Sequence, residues 1–137
     1  MYSLGPIAAT PKALGMISIL ICIVDDDAVV RDATTDLLNS LGYTALGFVS
    51  AEQFLDSGHV HSAGCLITDQ QLPGLSGTEL QAQLRADGYR TPIIFITGYP
   101  EPHVRKRALD AGAVAFLAKP FEQADLMRSL ETALSIH

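Results

Sequence analysis

Three adjacent carboxylates, Asp25, Asp26 and Asp27, close the apolar run ILICIV at 19–24. A fourth, Asp69, ends the run CLITD; Thr97 ends PIIFIT, and Lys119 follows VAFLA at once. Two carboxylates about 4 Å apart repel by roughly 4 kcal/mol at an effective dielectric near 20. A cluster of that kind persists only where a helix N-terminus, a cation or a function offsets the repulsion. Oxygen ligands, few of them carboxylates, with water and a phosphoryl oxygen completing an octahedron, describe Mg²⁺. Asp25, Asp26 and Asp69 supply such an acidic pocket. Asp27, one residue further on, is expected to start a helix, where the unpaired backbone N–H groups stabilise a carboxylate. A carboxylate can also act as a nucleophile and form an acyl phosphate. A metal, an ammonium and a hydroxyl then stabilise the charge on the phosphoryl oxygens. Asp69 is the best nucleophile, because it sits alone at its strand end, facing Thr97 and Lys119.

These residues meet only if the elements that carry them share one end of a sheet. Continuous apolar runs at 19–24, 65–69, 92–97 and 114–117, with a weaker one at 44–49, predict five strands covered on both faces. Helical spacing joins them. Val30, Ala33, Leu37, Leu38 and Leu41 predict a first helix, stopped by Gly42. Ser50 and Gln53 predict a capping box on a short second helix. The third spans 77–86 with Leu80 and Leu84 inward, the fourth 101–111 with Val104 and Ala108 inward. The fifth runs from Phe121 with Leu126, Leu130, Ala133 and Leu134 on one side. Alternation of this kind predicts an α/β fold, a flavodoxin-like doubly wound five-stranded parallel sheet of order 2-1-3-4-5 with five flanking helices. In that order strands one, three, four and five are neighbours, so their polar ends converge where such sheets bind ligands.

The chain has 137 residues, enough for one domain with a proper core, and 48% of them are hydrophobic. A net charge of −6 leaves no basic footprint for nucleic acid. The longest apolar run is far shorter than the ~20 residues of a membrane span, and no signal peptide is read at the N-terminus. Residues 1–16, with two prolines and two glycines, are expected to be a flexible extension, leaving 17–137 as the domain. Cys22 and Cys65 lie inside apolar runs and read as reduced, buried thiols of a cytoplasmic protein. His59 and His61 sit among glycine and polar residues, as an exposed loop would place them. No G-x-G-x-x-G follows the first strand, which disfavours a dinucleotide binder.

The segments IVDDD, ITDQQLPGLSG, FITG and FLAKPF, in that order, resemble the signature segments of receiver domains from bacterial two-component response regulators. The likeness covers about 19–134. It implies Asp69 as the phosphoacceptor, Asp25 and Asp26 as the acidic metal pair, and the backbone carbonyl of Gln71 as a further metal ligand. It implies Thr97 as a switch hydroxyl and Lys119 as the phosphoryl-binding lysine, with a cis peptide to Pro120. Phe116 occupies the aromatic switch position, where the family often has tyrosine, so a packing switch is the form expected here. The cofactor implied is Mg²⁺. The phosphoryl donor implied is a sensor histidine kinase or a histidine phosphotransfer protein. The responding surface would be helix four, strand five and helix five, with Glu101, His103, Arg105, Lys106 and Arg107 as candidate members. Its reader would be a downstream protein or a missing output domain, and a phosphorylation-dependent homodimer is a further expected partner state.

Taken singly, each residue has a plainer reading. Asp25, Asp26 and Asp69 could be caps, Thr97 a strand residue, Lys119 a solvated surface lysine and Phe116 core. Together these readings do not predict four polar residue types at four neighbouring strand ends. Two competitors remain. An aspartyl-nucleophile phosphohydrolase would use Asp25 with Asp27 as general acid, but this length leaves no room for a substrate cap. A pseudo-receiver would keep the fold and never be phosphorylated.

Overall fold

The computed structural model describes residues 18–135, so the extension expected at 1–16 lies outside the described residues. Five strands alternate with five helices: β1 (Leu20–Val24), α1 (Ala28–Ser40), β2 (Thr44–Phe48), α2 (Ala51–Leu55), β3 (Cys65–Asp69), α3 (Gly77–Ala86), β4 (Ile93–Thr97), α4 (Pro102–Asp110), β5 (Ala115–Ala118) and α5 (Gln123–Ser135). The sheet order is β2-β1-β3-β4-β5 and every pairing is parallel, as the alternation predicts.

The apolar runs form strands because both faces of the sheet are covered. β1, β3 and β4 lie inside the sheet, and β3 and β4 are buried along their whole length. On one face Ile21, Ile23, Ile67, Ile94 and Ile96 pack with Leu38 of α1 and Leu126, Leu130 and Ala133 of α5. On the other, Cys22, Val24, Leu66 and Phe95 pack with Phe54 of α2, Leu80 and Leu84 of α3 and Ala108 of α4. Side chains alternate across a strand, so Cys22 and Cys65 fall in opposite cores and both thiols are free. Burial pushes each thiol up to about 12.

Helix ends follow local chemistry. Asp27 caps α1, its Oδ1 accepting the N–H groups of Val29 at 3.0 Å and Val30 at 3.4 Å. Gly42, at φ 96°, turns the chain away after α1. The capping box expected at Ser50 is only half formed. Ser50 accepts the Gln53 N–H, but Gln53 Oε1 accepts from Val49 at 2.8 Å, one residue beyond the cap. The complete box is at Ser76 and Glu79, which begin α3. No helix among the described residues is long and apolar enough to cross a membrane.

Candidate functional site

The parallel register brings the carboxylates together. Val24 pairs with Thr68, so the next residue of each chain, Asp25 and Asp69, emerges at the same sheet end. One oxygen from each of Asp25, Asp26 and Asp69 lies within 4.8 Å of the others. Asp25 is wholly buried and Asp69 nearly so, whereas Asp26 is exposed and opens the cluster to solvent. Thr97 pairs with Ala118 across β4 and β5, which brings Lys119 to the same rim. The Lys119 backbone N–H donates to the Thr97 carbonyl at 2.8 Å, and the Lys119–Pro120 peptide is cis.

The Lys119 ammonium bridges the two buried carboxylates. It donates to Asp69 Oδ2 at 2.8 Å and lies 2.9 Å from Asp25 Oδ2. Backbone N–H groups hold the other two oxygens, Asp27 donating to Asp25 Oδ1 at 2.9 Å and Gln71 to Asp69 Oδ1 at 3.1 Å. Asp25 Oδ2 is different. Its one close partner is the Lys119 ammonium at 2.9 Å, an ion pair without ideal hydrogen-bond geometry, and no backbone N–H reaches it. Burial raises the Asp25 carboxyl above the ordinary aspartate range, against the opposing pull of Lys119 and the Asp27 N–H. Burial also acts to lower Lys119, but its hydrogen bond to Asp69 and its ion pair with Asp25 outweigh that and its pKa is raised overall. An all-oxygen cluster of three carboxylates, two of them buried and one open to water, fits a hard divalent cation.

The other expected site residues are placed as follows. Thr97 is buried at the adjacent strand end, with its Oγ1 accepting the Tyr99 N–H at 3.1 Å. Gln71 is exposed and, with Asp26, Gln70, Leu72, Pro73 and Ser76, lines a cavity of about 470 Å³ beside the cluster. Phe116 is half-buried and stacks on Phe95, ring centroids 5.6 Å apart. Asp27 is engaged as the α1 cap, which withdraws it from the general-acid role that the phosphohydrolase alternative requires.

Several residues that support this site escape a reading of motifs. Arg31 Nη1 donates to the Asp25 carbonyl at 2.7 Å, and its side chain runs over Gly47, where an added Cβ would lie 2.9 Å from Arg31 Cγ. Gln70 clamps Thr78 twice, through the Thr78 N–H at 2.8 Å and hydroxyl at 3.1 Å. Gly77 allows α3 to approach β3, since a Cβ there would stand 2.5 Å from the Asp69 carbonyl oxygen and 2.9 Å from Phe95 Cε2. Only Gly77 left a trace in the sequence, as a glycine opening a predicted helix.

A doubly wound parallel sheet with an acidic cluster and a lysine at its carboxyl rim defines the class of domain. Residues 21–131 match the family described as response regulator receiver domain, and the chain belongs to that family. Response regulator protein TodT of Pseudomonas putida is 38% identical over 117 residues, covering 85% of this chain and 52% of that protein. Among solved structures, response regulator StyR superimposes with a TM-score of 0.81 at 39% identity, covering 88% of this chain and 61% of that one. The crystal structure of FixJ-N gives a TM-score of 0.77 at 34% identity, covering 88% and 96%. The chain spans about half the length of the curated relatives it matches.

Proposed function

We propose that this receiver domain is a phosphorylation-controlled switch that accepts a phosphoryl group on Asp69. The observation that carries the reading is the bridge from Lys119 to Asp25 and Asp69 within the carboxylate cluster that Asp26 completes. Asp25, Asp26, Asp69 and the Gln71 carbonyl would hold Mg²⁺, which supplies positive charge to phosphoryl oxygens.

The donor is a phosphohistidine on a sensor histidine kinase or histidine phosphotransfer protein. An Asp69 carboxylate oxygen forms the new P–O bond as the P–N bond to imidazole breaks, and the leaving imidazole nitrogen takes up a proton. Lys119, whose ammonium already sits on Asp69 Oδ2, offers its charge to the phosphoryl oxygens. Thr97 gives up the Tyr99 N–H so that its hydroxyl can meet the same group. The phosphoryl group carries charge of the order of −1.5 to −2 where the Asp69 carboxylate carried a single charge, enough to bias a local two-state element. Phe116 of β5 stacks on Phe95 of β4, and this pair would repack as Thr97 turns. Glu101, His103, Arg105, Lys106 and Arg107 are exposed on α4 and its approach. This surface would address a downstream protein, an output domain or a second phosphorylated copy.

Calorimetry with beryllofluoride tests the reading. Binding is expected only with Mg²⁺ present and only with Asp69 intact. Equal binding by Asp69→Asn would refute the acceptor assignment, and failure of the wild type to bind Mg²⁺ would support a pseudo-receiver.

A further inference from the structure

Residues 70–76 link β3 to α3 and include Gln71, whose carbonyl the proposed function gives to Mg²⁺. The two ends of this segment are tied locally. Gln71 donates to Asp69 Oδ1, Gly77 to the Gln70 carbonyl, and Ser76 to Glu79. Between them, the Leu72 and Gly74 N–H groups make no hydrogen bond among the described residues, and Pro73 has no N–H to give. The middle of the loop is fixed from elsewhere. Glu52 of α2, 23 residues away in sequence, accepts the Leu75 N–H on Oε2 at 2.8 Å. Gly74 turns beneath that carboxylate at φ +79°, and a Cβ on Gly74 would stand 2.4 Å from the same Oε2. The loop is thus shaped to receive Glu52, and α2 is anchored in turn, since Phe54 is fully buried and Ser50 caps the helix.

We propose that Glu52 is a positioning residue for the phosphoacceptor site, holding the Gly74–Leu75 turn so that the Gln71 carbonyl faces the acidic cluster. This rests on the reading of Asp25, Asp26, Asp69 and Gln71 as the Mg²⁺ site. Glu52 touches neither metal nor phosphoryl group; it acts through one backbone N–H. Partners one layer out from a metal site typically change affinity by 10–100-fold when removed, and a tether through a loop belongs at the low end.

The test is Mg²⁺ titration by calorimetry of the full chain as wild type, Glu52→Ala and Glu52→Gln, with Leu75 amide hydrogen exchange measured alongside. Glu52→Ala should weaken Mg²⁺ binding by about 10-fold and lose Leu75 protection while the sheet amides stay protected. Glu52→Gln keeps a carbonyl acceptor and should restore both to near wild type. An effect of charge alone predicts otherwise, because the neutral Glu52→Gln would then follow Glu52→Ala, and that result would overturn the tether. Glu52→Ala binding Mg²⁺ within twofold of wild type would overturn the role of Glu52 alone. Wild type that does not bind Mg²⁺ would overturn the site reading, and this proposal with it.

Discussion

At the scale of the residue, the electrostatics turn on Asp25 and Lys119. Asp25 is buried with its proton favoured by that burial, so in the metal-free protein this group stabilises the fold at acid pH. The contribution fades as pH rises through its elevated native pKa. Mg²⁺ requires the ionised carboxylate, so its stabilising effect should run the other way. The Mg²⁺-induced rise in Tm is expected to be small near pH 4 and to grow toward about pH 7, as a dye-monitored melt with Mg²⁺ or EDTA would record. Lys119 remains charged throughout, because its net shift is upward. Removing that charge leaves two buried carboxylates facing each other. Lys119→Met should therefore lose about 3 kcal/mol in EDTA and regain more on adding Mg²⁺ than wild type does. A variant as stable as wild type in EDTA would show that the bridge contributes nothing.

At the scale of the element, close approach of α3 to β3 fixes where Asp69 sits. Gly77 has the Asp69 carbonyl and the Phe95 ring where a Cβ would go. Both neighbours are held, one in the strand and the other stacked on Phe116, so neither yields cheaply. Gly77→Ala is expected to cost about 1–3 kcal/mol and to weaken Mg²⁺ binding by shifting the end of β3. Gly98→Ala is the comparison, because nothing stands within 4 Å of a Cβ there and its φ is ordinary. Equal melting temperatures for the two variants would sink this account of α3 packing.

At the scale of the whole molecule, the two apolar layers carry the fold and the polar rim does not. Cores on both faces of the sheet are complete without a cation, so EDTA should leave far-UV circular dichroism unchanged. Saturation with Mg²⁺ at 100 times its Kd would add about 2.7 kcal/mol by mass action. The same layers protect the thiols. Cys22 and Cys65 are fully buried, one in each core, and burial pushes both up to about 12. A thiol reagent should label them together, at the rate of global unfolding. Labelling of one in folded protein would mean that its layer opens by itself.

The strand runs, the helix spacing and the sheet order were legible in the sequence, because burial on both faces leaves continuous apolar runs and parallel crossovers admit few topologies. So was the capping role of Asp27, because the N–H groups that start a helix favour a carboxylate there whatever the rest of the chain does. Local chemistry was less reliable by one residue, as Gln53 shows by passing Ser50 to reach Val49. What Glu52, Arg31 and Gly77 contribute depended on tertiary structure alone. Each acts on a residue with which it shares no motif: Glu52 on Leu75, Arg31 on the Asp25 carbonyl, Gly77 on the Phe95 ring. Periodicity records which side chains leave water; which backbone group or ring each one then meets is set by the register and distance of packed elements, and that exists only once the chain has folded.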